Sequence, residues 1–529
     1  MPSAFERRVQ PQRENFVRET EGDDASAHGE DVGVIVLARK ARRVEVVAER
    51  GADTGDLVRG DLFALPRTAE HDAAIGGTRG HCAADREADR RIVDRRLAVG
   101  AVIVDGVAEP RERVFQMLLE GKAGVVGANR NSHSVRLYYV GLVMTPTVVI
   151  SARGEDRVQS GHPWIYRADV ASARASGGEI VEVRTPRGRV AGWALYSDRS
   201  QIALRMLSQR EAPTGEVAIR ARIASAIAFR ESLKIDATAY RLVHGEADLL
   251  PSLIVDRYGD HLVVQALSQG MDRLLPFIVS TLNDLLHPKG ILARNDPRAR
   301  VLEGLEQRVE VLSGDVPESV TVTESGIEYD VDLRRGQKTG LFLDQRENRS
   351  AAAQYARGRL LDCFSYNGGF ALVLGRLCRE TIAFDVSEDA VARVRQNAQR
   401  NGVAVDARVG NVFDELRGLE RTRERFDTIV LDPPAFAKNK AAITNARAGY
   451  KEINLRALKL LNPGGTLVTC SCSYHINEAA FAELVYEASV DANTPVTVVE
   501  KRMQGRDHPV LLGVPETYYL KCFILRKLA

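Results

Sequence analysis

The 529-residue sequence predicts an α/β protein. Its C-terminal part reads as a doubly wound, mainly parallel sheet, preceded by a small β-barrel and a small α+β domain. Three observations lead there. A chain of this length exceeds what one hydrophobic core holds, so two to about four domains are expected. Short β-like runs broken by Gly, Pro, Asp and Ser fill residues 144–212, and strands alternate regularly with helices over 336–529.

Residues 1–143 carry the least regular pattern. The opening "MPSAFERRVQPQRENFVRETEGDDASAHGEDVG" has neither helical nor strand periodicity, and the apolar runs "VGVIVLA" and "AVGAVIVDGVA" sit between Arg-, Asp- and Glu-dense stretches without caps or turns. This segment reads as a disordered or non-domain extension, translated from a start placed too far upstream, with Met144 as the candidate initiator. A lineage-specific domain or an RNA-binding arm is the alternative.

From Met144 the patterning is orderly. "TVVISA", "EIVEVRT", "VAGWALYS" and "IALRMLS" read as strands of a small barrel over 144–212. Over 213–335, the helical "EVAIRARIASAIAFRESL" and "MDRLLPFIVSTLNDLL" flank strands in "SLIVDRYGDHLVVQAL", which turn near Gly259 and suggest an α+β unit. Over 336–529 the order is "RLLDCF" and a helix from Gly369, "TIAFDV" and "EDAVARVRQNAQRNG", "AVDARVG" and a short helix, "FDTIVLDPP" and "GYKEINLRALKLLNPGG", then "TLVTCS". Such sheets bind ligands beyond the carboxyl ends of their strands.

Composition narrows the setting without choosing a function. A formal net charge of +2 permits nucleic-acid binding through a local patch but does not argue for it. Six irregularly spaced cysteines do not make a disulfide framework and suit a reducing cytosol. No stretch approaches the ~20 apolar residues of a membrane span, and the N-terminus lacks a signal core, so a cytoplasmic protein without a membrane partner is expected.

Candidate ligand-binding residues fall at strand ends. In "LLDCFSYNGGFAL", Asp362 ends a buried strand, and Gly368 and Gly369 let the backbone approach a ligand at a helix N-terminus. The spacing is not G-x-G-x-x-G, which argues against a dinucleotide. Asp385 closes the next strand, where a carboxylate suits a ribose diol, although it or its neighbours Ser387 and Asp389 would equally cap a helix. In register along one sheet, these residues point to a nucleoside-containing cofactor. Two strands on, Asp432 leaves the sheet before Pro433 and Pro434, a stiff exit able to frame a flat base; a rigid loop with a solvated Asp is the plainer reading. Lys438 and Lys440 could touch phosphate or simply face solvent.

"DCFSYNGGF", "LDPPAF" and "CSCS", following "HPWIY", "HGEADLLPSLIVDRYGD" and "GQKTGLFLDQRENR" in this order, resemble the S-adenosylmethionine-dependent methyltransferases that methylate cytosine C5 in 23S ribosomal RNA. The resemblance runs from Met144 to the C-terminus and implies a PUA RNA-binding domain, a small α+β domain and a Rossmann-like methyltransferase domain. It implies S-adenosylmethionine as cofactor and 23S rRNA or a large-subunit precursor as partner, with no metal; a homodimer is compatible with it. Phe364, Tyr366, Gly368 and Gly369 would hold the methionine part, Asp385 the ribose, and Gln345 and Arg346 would lie over the cofactor. The adenine would lie near Asn411, where the family commonly has Asp. Leu249 and Ser252 stand where the family pattern has glycines. Trp164 and Tyr166 are candidate RNA contacts, with core packing the plainer role for Trp164.

Methylation at C5 needs a nucleophile at C6, an acid at N3 and a base for the C5 proton. Asp432 fits the acid; the sequence does not identify the base. "TCSCSYHI" offers two thiols. Zinc would require further ligands beyond His475, and residues two apart on a strand are badly placed for a disulfide. Cys470 lies within the strand "TLVTCS" and reads as packing. Cys472 lies just past its end and also matches the family's cysteine, which favours Cys472 as nucleophile. The thiol should be acidified by neighbouring cations or by the cofactor's sulfonium. A non-catalytic RNA-binding or ribosome-assembly factor, and an enzyme methylating an exocyclic nitrogen, are the competing functions; neither needs Cys472.

Overall fold

The computed structural model describes residues 145–209, 215–436 and 442–528, plus the backbone of five short earlier strands. The chain divides into two units, Met1–Val143 and Met144–Ala529. In the first, Val32–Ala38 pairs antiparallel with Val44–Ala48 and Leu62–Thr68, and Ala101–Val104 pairs with Leu137–Val140. The expectation of disorder for the rest of 1–143, the initiator Met144, and Lys438 with Lys440 lie outside the described residues.

The second unit begins with a six-stranded mixed sheet, in the order Trp164–Tyr166, Ile202–Ser208, Val190–Tyr196, Ile180–Arg184, Thr147–Ile150, Val170–Arg174. Its alternate side chains, including Val148, Ile150, Ile165, Val181, Val183 and Leu204, close one apolar core. A helix over Ala152–Gln159, unforeseen from the apolar pattern, is capped by Ser151, whose side chain accepts from the Gly154 N–H at 3.2 Å.

A five-stranded sheet follows, with Ala239–His244, Leu253–Tyr258, His261–Ala266, Gly290–Asn295 and Arg308–Gly314 as neighbours in that order. Helices Glu216–Ser232 and Gln269–Leu286 pack their apolar faces on it, through Ile219, Ile223, Ile278 and Leu282 among others. Leu249 and Ser252 adopt φ values of 57° and 65°, so the turn keeps a left-handed backbone without its glycines. A hairpin, Ser319–Glu324 with Ile327–Asp332, then leads into the C-terminal sheet.

That sheet has seven strands: β1 (Arg359–Cys363), β2 (Glu380–Asp385), β3 (Asp406–Val409), β4 (Phe426–Leu431), β5 (Leu461–Ser471), β6 (Val496–Arg502) and β7 (Lys521–Lys527). Their order is β3-β2-β1-β4-β5-β7-β6, parallel from β3 through β5, with β7 inserted antiparallel between β5 and β6. Helices α1 (Gly369–Gly375), α2 (Glu388–Asn401), α3 (Val412–Arg421), α4 (Ile443–Leu460) and α5 (Glu478–Asp491) provide the crossovers. This is the predicted doubly wound domain; the alternation ended at "TLVTCS", and the structure adds β6 and β7 beyond it. Strand order reverses between β1 and β4, which opens a crevice at their carboxyl ends. Among the described residues, no helix is long and apolar enough to cross a membrane.

Candidate active site

A cavity of about 560 Å³ occupies that crevice. The β1–α1 loop, the end of β2, the β3–α3 turn, the β4 exit, the tip of β5 and the segment 337–345 contribute to its lining.

Asp362 is the penultimate residue of β1, and its side chain is buried. Its Oδ2 accepts from Ser365 Oγ and from the Ala371 N–H, both at 2.9 Å, tying the strand end to the first turn of α1. Oδ1 is buried without a partner. Burial pushes this carboxyl up to about 7, against the opposing pull of the Ser365 and Ala371 hydrogen bonds. The loop itself is strained: Phe364 and Tyr366 take φ of 67° and 50°. Tyr366 is held from both ends, its N–H donating to Asp385 Oδ2 at 2.9 Å and its hydroxyl donating to the Gly340 carbonyl at 3.1 Å. Gly368 caps α1 at φ 83°, and a Cβ on Gly369 would lie 3.1 Å from an Arg349 nitrogen. Any larger residue at Gly368 would be strained by that φ, and one at Gly369 would have to push the Arg349 guanidinium aside by a few tenths of an ångström.

Asp385 accepts from Tyr366 N–H through Oδ2 and from Ser387 N–H through Oδ1, each at 2.9 Å. Asn411 is exposed and caps α3, its Oδ1 accepting from the Phe413 N–H at 3.0 Å. Ser387, not Asp385, caps the helix Glu388–Asn401, so Asp385 ties the β1–α1 loop to the start of that helix, and both Asp385 and Asn411 line the cavity. The orphaned Asp362 Oδ1, the left-handed loop and the Gly369 cradle form a site built for a ligand the chain does not itself supply. Phe364, Tyr366, Gly369, Asp362, Asp385 and Asn411 fit a nucleoside-bearing amino acid.

Of the two residues expected over the cofactor, the structure brings in one. Gln345 donates from Nε2 to Asp432 Oδ1 at 2.8 Å and accepts from Asn348 at 2.7 Å. Arg346 is instead committed to a buried bidentate pair with Asp507, at 2.9 and 3.1 Å, and does not join the cavity lining. A carboxylate fully removed from water demands such a partner, and that demand directs the guanidinium.

At the opposite wall, Asp432 follows β4 and Cys472 follows β5, which are adjacent parallel strands. Burial, reinforced by the Asp344 carboxylate, pushes Asp432 up to about 6. Cys472 Sγ lies 3.9 Å from the Pro433 carbonyl. Burial and then the Asp432 charge push its thiol up to about 11, with Lys338 and Lys521 pulling the other way. The chain's own cations therefore fall short of the acidified thiol expected from the sequence. Cys470 points into the core beside Phe370, Val468, Cys522 and Ile524 and is fully buried.

Four charged or polar neighbours escaped notice in the sequence. Asp344 accepts at Oδ2 from Lys338 Nζ at 2.6 Å and from the Tyr519 hydroxyl at 2.7 Å. Burial opposes its ionisation, but the Lys338 ammonium and His508 outweigh that and hold the carboxyl below the ordinary range. Lys521, on β7, is buried and donates to the Ser473 carbonyl at 2.8 Å and the Tyr519 carbonyl at 2.9 Å. Asp344 and Lys338 stood inside "QKTGLFLDQR" beside the noticed Gln345. Lys521 was signalled only by a lone charge in the strand-like "LKCFIL".

Residues 242–515 match the profile of the S-adenosylmethionine-dependent methyltransferases, and residues 148–209 match a PUA-like domain. The chain is similar to the "Ribosomal RNA large subunit methyltransferase I" of Tolumonas auensis, with 40% identity over 396 residues that span 72% of this chain and all of that protein. Its counterparts in Erwinia tasmaniensis and Photobacterium profundum share 38% and 37%, again over 72% of this chain and 100% and 99% of theirs. Among solved structures, a Streptococcus mutans protein described as a SAM-dependent methyltransferase superposes with TM-score 0.63 at 19% identity, over 72% of this chain and 99% of that one. A further one, solved with SAH, gives 0.64 at 20% identity over the same shares. These two likenesses concern the fold.

Proposed function

Because this chain belongs to the S-adenosylmethionine-dependent ribosomal RNA large subunit methyltransferase I family, we propose that it methylates C5 of a cytosine in 23S ribosomal RNA through an adduct between Cys472 and C6. One observation carries this reading. A thiol and a carboxyl with a raised pKa, Cys472 and Asp432, leave the tips of adjacent strands and line one cavity with the cofactor loop.

S-adenosylmethionine, when bound, supplies an electrophilic methyl group on a positive sulfur. Cofactor-holding roles fall to Asp362, Phe364, Tyr366, Gly368, Gly369, Asp385 and Asn411. Asp432, titrating near 6, is a carboxylate at neutral pH that takes the Cys472 proton and passes it to N3 of the base. The freed thiolate adds to C6, which loads electron density onto C5 for methylation. Transfer of the C5 proton to water then expels the thiolate, and the N3 proton returns through Asp432 to Sγ, which restores the carboxylate and the thiol. The target cytosine must be unstacked for C5 and C6 to reach these groups, a task suited to a PUA-bearing RNA-binding protein.

The test is transfer of tritiated methyl groups to large-subunit rRNA from cells lacking the enzyme. Cys472→Ala loses transfer by at least about a thousandfold, whereas Cys470→Ala retains it within roughly tenfold. Undiminished transfer by Cys472→Ala would sink the thiolate reading and favour an exocyclic nitrogen.

A further inference from the structure

Cys472 is bracketed by Lys521. The residue before it, Ser471, pairs with Lys521 across the β5–β7 ladder, and the residue after it, Ser473, gives its carbonyl to Lys521 Nζ at 2.8 Å. The Lys521 backbone is thus paired beside the residue before the thiol, and its ammonium is bonded to the carbonyl of the residue after it. Its second bond goes to the Tyr519 carbonyl at 2.9 Å. Among the described residues no carboxylate forms a salt bridge with it, although the side chain is only 1% exposed. A buried lysine bonded only to neutral carbonyls is costly to keep charged, and an anion forming beside it would offset that cost.

We propose that Lys521 is a positioning residue whose buried ammonium is the counter-ion of the Cys472 thiolate, holding the β5 tip in place and stabilising the charge that forms when Sγ loses its proton. This rests on the thiolate reading above. No group is consumed: the proton leaves Sγ for Asp432 while Lys521 stays an ammonium throughout. Burial lowers Lys521 to about 8, so it remains mostly charged at pH 7, and Cys472 is the charge that acts back on it. The other groups acting on the thiol are Asp432 and Asp344, which oppose ionisation, and Lys338, which assists from the segment before Gln345. The Tyr450 phenol, from α4, also feels the Cys472 charge. Lys338 is already paired with Asp344, so its field at the thiol is largely cancelled, whereas that of Lys521 is not.

The experiment follows the pH dependence of Cys472 alkylation by iodoacetamide in the full chain, read by peptide mass spectrometry, with S-adenosylmethionine affinity as a check on folding. At pH 7, where Lys521 is charged and the thiol is almost wholly protonated, Lys521→Met lowers the alkylation rate about tenfold, a tenfold loss of thiolate, and removes the inflection that the parent profile carries near pH 8 as Lys521 loses its proton. Lys521→Arg keeps most of the rate at pH 7 and, staying charged, shows no inflection near pH 8. A merely structural lysine would slow alkylation by the same factor at every pH, and a Lys521→Met profile of unchanged shape overturns the inference. If Lys521→Met does not fold, the reciprocal titration decides. In Cys472→Asp, which places a permanent anion where the thiolate forms, the Lys521 side chain, followed by its ¹³Cε shift, titrates at higher pH than the parent's value of about 8; an unchanged titration overturns the inference. Both readouts are independent of RNA, so loss of the Lys521 effect leaves the C5 reading standing. Methyl transfer surviving in Cys472→Ala would instead remove the thiolate reading on which this role rests, while the Lys521–Cys472 coupling itself would still be read by the titrations.

Discussion

Gln345 Nε2 donates to Asp432 Oδ1 at 2.8 Å, and Gln345 is itself oriented by Asn348, which accepts from Arg502 of β6 at 3.2 Å. A chain of amides therefore runs from the edge of the sheet to the carboxyl assigned as the proton relay. Its hydrogen bond favours the ionised form of Asp432 against the burial that opposes it.

Removing that donor should move the relay. Gln345→Leu leaves Asp432 desolvated with less compensation, so its pKa rises above about 6. Activity needs the carboxylate to receive the Cys472 proton, so kcat/KM falls as pH drops through that value. The acid limb of the profile shifts upward by about half to one unit, and kcat declines roughly tenfold. Asp432→Asn abolishes the limb along with most of the activity. A limb unmoved in Gln345→Leu would show that Asp432 is not the titrating group.

Asp362 predicts a trade of stability for binding. Its folded pKa near 7 exceeds the unfolded value, so the native state holds a proton that the unfolded chain has lost between about pH 4 and 7. Its contribution to stability thus declines as pH rises through that window, and the penalty is complete above it. Asp362→Asn should stabilise the ligand-free protein by about 2 kcal/mol at pH 8 and by much less at pH 4, while weakening S-adenosylmethionine binding tenfold or more. Urea unfolding at the two pH values, with calorimetric titration of the cofactor, reads both; equal effects at both pH values would refute the account.

Leu249 sits at φ 57° and is 55% exposed, so its side chain contributes little packing to offset a left-handed backbone. Leu249→Gly should raise the unfolding free energy by about 0.5–1 kcal/mol in urea titrations, the gain in strain outweighing glycine's extra chain entropy. A loss of stability would mean that the leucine side chain has a packing role that its exposure conceals.

Arg346 belongs to the scaffold. Arg346→Met strands the buried Asp507 carboxylate and should destabilise the protein by about 3 kcal/mol, whereas cofactor affinity per folded molecule changes less than about threefold. A tenfold loss of affinity at unchanged stability would return Arg346 to the cofactor site.

The strand-end chemistry was legible from local pattern. A buried run that carries an Asp at or beside its carboxyl end, as at Asp362, Asp385 and Asp432, marks a parallel strand, and each of these carboxyls lines the crevice. The same logic separated Cys472, just past β5, from Cys470 within it. What escaped was set by pairings distant in sequence. Asp507 claims Arg346 from 161 residues away, and Lys521 reaches Cys472 only because β7 inserts beside β5. Nothing in "LKCFIL" fixes that neighbour, because an antiparallel pairing between strands distant in the sequence is decided by the whole sheet. The helix Ala152–Gln159 escaped for a different reason: its first turn is set by the Ser151 cap in a sequence with few apolar residues to show a period.

The most direct test of the central claim is to trap the adduct. Large-subunit rRNA carrying 5-fluorocytidine cannot release its C5 substituent as a proton, so the full chain with S-adenosylmethionine should form a denaturation-stable complex. After nuclease and protease digestion, mass spectrometry should find one methylated fluorocytidine attached to Cys472, and none in Cys472→Ala. Attachment at Cys470, or no attachment by an enzyme that methylates unmodified rRNA, would contradict the account.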